Sequence, residues 1–210
     1  AGGLKQVYFV GCGGSQAAIF AGHYMLKSEA KTFGTAIYNS NEFVNATPAM
    51  LDERCICIMC SLKATKETVE AVKVANNKGA ITIAMTGFPT TEMAKNGQYV
   101  VIYSNGDDQI YSQANQAKSL MIGFEILKQF ENYDKYDAAM DAFTKIDQIV
   151  ANAKKYIDPI ATKFADEYKD EELFYVMASG SCYSAAYTMS CCHFMEMQWK
   201  HAVTLHTGEY

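Results

Sequence analysis

The sequence predicts an α/β protein, a three-layer α/β/α sandwich around a central parallel sheet, followed by the start of a second copy of its opening unit. Three observations carry this. Short apolar runs alternate with stretches of helical spacing from the start of the chain. The first run, Val7-Tyr8-Phe9-Val10, ends in Gly11-Cys12-Gly13-Gly14-Ser15, turn residues that lead into a helix. The pattern then returns as Leu173-Phe174-Tyr175-Val176-Met177-Ala178-Ser179-Gly180-Ser181, which lines up with the opening at an offset of 166 and puts Gly180 on Gly14 and Ser181 on Ser15.

The elements follow in order. A helix is expected from Gln16, capped by Ser15, to about Ala30, then a strand over 33–38 and a polar, partly helical piece over 39–48. Residues 54–60 are β-branched and apolar, 65–77 have helical spacing, and 80–86 form a strand closed by Gly87. A short helix at 91–95 leads to a strand at 98–103. Helices placed between parallel strands must cover both faces of the sheet. A long helix is expected over 109–131, and 136–168 reads as more helix broken at Asp158-Pro159. The domain reading is 1–135 for the first unit, 136–170 for a helical linker and 171–210 for the beginning of the second, with a strand near 202–205. The start at Ala1 and the stop at Tyr210 within an ordered segment suggest that both ends are missing.

Composition narrows the function classes. Half the 210 residues are hydrophobic and a fifth charged, the balance of a protein with a packed core. The formal net charge is -5 and Arg54 is the single arginine, so no basic face is available for nucleic acid. No apolar run approaches the ~18 residues of a membrane span, and the chain reads as cytoplasmic. The seven cysteines are odd in number and lie mostly in apolar segments. Cys57-Ile58-Met59-Cys60 has CxxC spacing without a second pair, so the cysteines read as core residues and no metal site or cofactor is expected.

Two loops carry candidate chemistry. At Gly13-Gly14-Ser15 a tight turn meets a helix N-terminus, where free N–H groups and a hydroxyl suit a phosphate; a plain strand-to-helix connection is the equal alternative. Gln16 stands where a dinucleotide fingerprint needs its third glycine. Cys60-Ser61-Leu62-Lys63-Ala64-Thr65 leaves the C-terminal end of a strand, where open α/β sheets bind ligands. Ser15, Ser61 and Thr65 can then share one anion, to which Lys63 would add a charge; Thr65 as a simple helix cap is the alternative.

These loops, with Tyr38-Asn39-Ser40-Asn41-Glu42-Phe43, Leu51-Asp52-Glu53-Arg54, Thr65-Lys66-Glu67-Thr68, Phe194-Met195-Glu196-Met197-Gln198-Trp199-Lys200-His201 and His206-Thr207-Gly208-Glu209-Tyr210, resemble the sugar isomerase (SIS) domain family. The likeness is to its fructosamine-6-phosphate deglycase branch, itself similar to the isomerase domain of glucosamine-6-phosphate synthase. The resemblance implies a sugar phosphate held by Gly13, Gly14, Ser15, Ser61, Lys63, Thr65, Ser179 and Ser181. It implies Glu196 as the base that moves a proton between the first two sugar carbons, and a homodimer with a shared site. Phosphosugar isomerase, amino-sugar synthase and non-catalytic sugar-phosphate sensor are the other readings within the fold. The family loop reads Ser-x-x-Gly-x-Thr; here Ser61 to Thr65 is one residue shorter, with Ala64 or Lys63 in the glycine place, or Cys60 in that of the serine if ungapped.

A base of this kind needs a raised pKa, and Met195, Met197 and Trp199 are the expected source of desolvation. An exposed glutamate paired with Lys200 at i+4 is the bland alternative. His23 and His193 read as structural. The family's ring-opening histidine would fall at position 212, leaving His201 and His206 as second-choice acids.

Overall fold

The computed structural model describes residues 3–210. Its main unit is a five-stranded parallel sheet of β1 (Gln6–Gly11), β2 (Gly34–Asn39), β3 (Cys55–Cys60), β4 (Ile81–Thr86) and β5 (Tyr99–Ile102), in the order β2-β1-β3-β4-β5. All six residues of the central β3 are buried, as expected of a strand covered on both faces.

Strand alternation sorts the core into two layers. Tyr8, Val10, Cys57 and Met59 point to one face and pack with Phe43, Val69, Val72 and Met93 of α2 (Ser40–Asn45), α3 (Lys66–Asn77) and α4 (Glu92–Asn96). Val7, Phe9, Ile58 and Cys60 point to the other, against Ile19 and Leu26 of α1 (Gly13–Glu29) and Ile126 and Leu127 of α5 (Asn115–Glu131). Cys57 and Cys60 therefore lie on opposite faces of the sheet, and all seven cysteines are unpaired. The α1 and α5 axes approach closely through Gly22, whose N–H donates to Ser119 Oγ (3.2 Å) while that hydroxyl donates to the Ile19 carbonyl (3.2 Å).

Three sequence expectations need correction. The helix expected from residue 109 begins only at Asn115, after a short 3-10 turn at Tyr111–Gln113. Residues 104–110 are held instead by the side chains of Ser104 and Asp108, the latter accepting from the Ile110 N–H at 3.0 Å. The next helix, α6 (Tyr136–Tyr168), runs through Pro159 without a break. Its surroundings are open to solvent, so the carbonyl that loses its N–H partner to proline is solvated.

The third correction concerns the repeat. The second unit consists of β6 (Leu173–Ala178), a 3-10 turn at Gly180–Cys182, α7 (Tyr183–Tyr187), a π-helix at Thr188–Met197 and β7 (His201–His206). Its two strands pair in parallel with Leu173 opposite His201, as Gln6 pairs with Gly34 in β1 and β2. The pairing alone fits either phase, but the strand starts (Gln6 and Leu173, Gly34 and His201) and the left-handed glycines are 167 apart, one more than the alignment of Gly180 with Gly14. Identical letters favoured 166; backbone geometry fixes 167. Gly180 (φ +59°) is therefore the counterpart of Gly13 (φ +51°), and Cys182, not Ser181, that of Ser15. Among the described residues no helix is long and apolar enough to cross a membrane.

Candidate functional site

The C-terminal ends of β1 and β3 are adjacent, with Gly11 paired to Cys60, and their chains leave toward opposite faces of the sheet. Ligands of open α/β sheets occupy such a switch point. Both candidate loops start here.

After β1 the chain turns at Gly11. A Cβ at this position would stand 3.0 Å from the backbone nitrogen of Gln16, so only glycine lets α1 come this close. The helix opens at Gly13, with Cys12 in the capping position and no side-chain cap. Ser15 is thus inside the first turn and not the cap, because the left-handed Gly13 starts the helix three residues before Gln16. Freed from capping, its hydroxyl lies beside the Cys60 thiol and the Tyr103 phenol, which are 3.7 Å apart, with Asn115 also near Tyr103. Burial pushes the Cys60 thiol up to about 11 and raises the Tyr103 phenol as well, so both stay neutral near pH 7.

After β3 comes a run of hydroxyls. Ser61 is buried, and its Oγ accepts the Thr65 N–H at 2.9 Å. Ala64, rather than Lys63, takes a left-handed backbone (φ +59°), the conformation that favours glycine. Thr65 occupies the cap position of α3, yet its side chain caps nothing. Its Oγ1 lies 3.2 Å from Ser61 Oγ and 2.8 Å from Thr68 Oγ1, and Thr68 Oγ1 is 2.8 Å from Ser40 Oγ. The first amides of α3 lack helical acceptors and lie at the positive end of its dipole. Lys63 is exposed at the rim.

The second unit contributes unevenly. Ser179 and Ser181 are exposed, and a Cβ at Gly180 between them would be 3.3 Å from the Tyr24 hydroxyl. Tyr24 is nine residues beyond Ser15, or about 13 Å along α1. The fold therefore joins Ser61 to Thr65 and sets Ser15 beside the neighbouring Cys60, while Ser179 and Ser181 flank a glycine that faces Tyr24. The π-helix passes nearer: Cys192 Sγ would lie 3.9 Å from a Cβ on Gly14. One turn on is Glu196, whose charge adds to burial in raising the Cys192 thiol.

Glu196 is itself exposed, as are Met195, Met197 and Trp199, the last at 88 %. The desolvation expected from those three side chains is not supplied within this chain, because the helix ends at Met197 and Trp199 turns outward at φ +59°. The Lys200 pairing fails for the same reason: Lys200 lies past the helix end, its N–H bonded to the Phe194 carbonyl. His206 caps the final turn, its Nδ1 accepting from the Gly208 N–H at 3.0 Å, and His201 opens β7 at the surface. His23 is buried and 3.1 Å from Thr35 Oγ1, and His193 is exposed. A cavity of about 290 Å³ between α1 and the second unit is lined by Gln16, Phe20, Ile37, Tyr183 and Tyr187. Among the described residues no three His, Cys, Asp or Glu side chains form a metal cluster.

Sequence reasoning missed Tyr103, Asn115, Thr68 and Ser40. Thr68 had a signal, its i+3 spacing from Thr65 on one helix face. Ser40 had none, since only the packing of α2 on α3 brings it there.

Over 208 residues the chain is 37% identical to the fructosamine deglycase FrlB of Bacillus subtilis (strain 168), covering 99% of this chain and 63% of that protein. A crystal structure from Salmonella typhimurium LT2, provisionally assigned as a phosphosugar isomerase, superposes with a TM-score of 0.96 at 37% identity, over 99% of this chain and 63% of the other. The C-terminal domain of the Francisella tularensis glucosamine-fructose-6-phosphate aminotransferase shares the fold, with a TM-score of 0.85 at 16% identity over 98% and 59% of the two chains. The chain thus spans about 63% of the length of its first two relatives. Residues 4–123 match the model of the SIS domain, and the chain belongs to that family.

Proposed function

We propose that the chain is part of a deglycase that acts on a fructosamine 6-phosphate and releases glucose 6-phosphate and an amine or amino acid. The observation that carries this reading is the meeting of the Gly13-Gly14-Ser15 turn with the Ser61–Thr68 hydroxyls at the switch point, beside the helix that holds Glu196. Identity to a fructosamine deglycase favours it over the other phosphosugar chemistries of the fold. The phosphate accepts hydrogen bonds from Ser61, Thr65 and the loop amides of Gly13, Gly14 and α3, with Lys63 at the rim and Ser15 toward the sugar.

In this reading Glu196 takes a proton from C1 of the open-chain amino ketose, giving an enaminol. Return of a proton to C2 gives an imine at C1, and addition of water there breaks the C–N bond. The base must be desolvated for this, and a partner subunit closing over Met195, Met197 and Trp199 would exclude water from it. The protein is accordingly a homodimer with a shared site, and its unpaired cysteines suit the cytoplasm. Residues 1–135 form the first domain, 136–170 the linker, and 171–210 repeat the opening of the first; Ser179 and Ser181 serve the second unit's own turn.

The test is to supply the protein with fructosamine 6-phosphates and measure glucose 6-phosphate. Product that disappears in Glu196→Gln, with phosphate binding retained, supports the deglycase. Interconversion of glucose and fructose 6-phosphates without amine release points to an isomerase, and tight binding without turnover to a sensor.

A further inference from the structure

We infer that Thr68 and Ser40 are positioning residues which set the direction of the protons that Thr65 and Ser61 offer to a phosphate; this rests on the phosphate reading above. Ser40, Thr68, Thr65 and Ser61 form an unbroken file of hydroxyls with spacings of 2.8, 2.8 and 3.2 Å. Its inner half is sealed: Ser40 and Thr68 are both 0 % exposed. Each hydroxyl has one proton to give, so the file runs in one direction or the other.

The buried end decides between them. Among the described residues Thr68 is the hydrogen-bond partner of the Ser40 hydroxyl. If Thr68 donated to Ser40, the Ser40 proton would be buried with no acceptor, and an unmet buried donor is costly. Ser40 therefore donates to Thr68, and Thr68 to Thr65. Thr65 Oγ1 then accepts from Thr68 and has its own proton to give, to Ser61 Oγ at 3.2 Å before an anion arrives and to a phosphate oxygen once one does. Ser61 Oγ already accepts the Thr65 N–H and is likewise left with a proton to give. A phosphate oxygen only accepts, so a file fixed in this direction is ready for it before it arrives. Turned the other way, Thr65 would spend its proton on Thr68 and present a lone pair to an anion.

This role needs no change in fold to reveal it. Thr68→Val keeps the shape of the side chain and removes the donor to Thr65, though it strands Ser40. The double variant Ser40→Ala/Thr68→Val removes both buried hydroxyls, so no polar group is orphaned and folding is preserved. Affinity for inorganic phosphate and for glucose 6-phosphate is measured by calorimetric titration of the protein, beside the thermal midpoint.

The expected result is a loss of about fivefold to tenfold in both affinities for the double variant, with a midpoint near the parent's, and recovery in Thr68→Ser. In the turnover assay KM rises and kcat is unchanged. In a Thr65→Val background the inner substitutions have no further effect, since they act through Thr65. Full phosphate affinity in the double variant overturns the inference while the site stands, provided that Thr65→Val weakens binding. If Thr65→Val also leaves phosphate affinity intact, the site reading fails and the positioning role with it.

Discussion

Cys192 and Gly14 face each other across the two units: a Cβ added to Gly14 would stand 3.9 Å from the cysteine sulfur, an ordinary contact. Gly14 is therefore not a glycine for want of room, nor for its backbone, which has no left-handed φ. Gly11, three residues earlier, is different, since its Cβ would meet the Gln16 nitrogen at 3.0 Å and the Gln16 Cα at 3.2 Å. Gly11→Ala is expected to cost about 1–3 kcal/mol because backbone must move. Gly14→Ala should leave stability unchanged or raise it by up to about 1 kcal/mol, as alanine favours a helix over glycine. If a phosphate sits on the Gly14 amide, the added methyl weakens phosphate binding all the same. Chemical denaturation and phosphate titration of the two variants separate the effects.

The loop after β3 carries strain at Ala64, which holds φ +59° where a glycine would rest freely. Ala64→Gly relieves a left-handed Cβ worth about 1–2 kcal/mol and gives back part of that in unfolded-chain entropy, for a net gain of about 0.5–1 kcal/mol. Ala64→Val should lose stability instead, since a β-branched side chain is a true outlier there. Denaturant midpoints of the pair give opposite signs if the loop holds this shape, and equal signs if it does not.

The fold was legible because each strand is a run of apolar letters and each connection carries its own turn residues; β3 is six buried residues in a row. Where side chains, not periodicity, decide, the reading slipped. Ser15 looks like a cap, but a left-handed Gly13 starts the helix earlier and turns the hydroxyl toward Tyr103, a residue 88 positions away. The two strand–turn–helix openings share letters at an offset of 166, yet their strand starts and left-handed glycines are 167 apart. Asn39 and His206, 167 apart, cap their turns alike, each accepting an N–H two residues on at 3.0 Å, with unlike side chains that no comparison of letters would pair. Glu196 was singled out through a motif, and in this chain its side chain is exposed at the end of its helix.

The seam between α1 and α5 is as tight as any in the molecule. A Cβ on Gly22 would fall 2.3 Å from Ser119 Oγ and 2.6 Å from the Ser119 carbonyl oxygen. The second of these is backbone, so the helices have to part. Gly22→Ala should cost about 3 kcal/mol, at the upper end for overpacking, and it also strips the Ser119 hydroxyl of its position between Gly22 and Ile19. Ser119→Ala alone removes both bonds of its hydroxyl, the one accepted from the Gly22 N–H and the one donated to the Ile19 carbonyl, and costs about 1 kcal/mol. A thermal midpoint for Gly22→Ala equal to the parent's would show that the two helices are farther apart.

His23 makes stability sensitive to mild acid. Its ring is buried against Phe9 and Phe20, and burial, with the nearby Lys27 charge, lowers its pKa from 6.5 to about 4. In the unfolded chain the imidazole takes a proton as pH falls below about 6.5, whereas in the folded chain it stays neutral until about 4. Between those values the unfolded state binds more protons, so stability falls as pH falls, by up to about 3 kcal/mol across the window. Carboxylates held down by partners, such as Asp52 beside Arg54 and Lys5, add their own losses only at lower pH. The interval from about pH 6.5 to 5 therefore belongs to His23 among the groups with lowered values. His23→Gln should flatten the unfolding free energy over that interval and leave the steeper decline below it in place, as urea titrations at half-unit steps of pH would record. An unchanged slope in the variant would mean that the His23 ring is already reached by water in the folded protein.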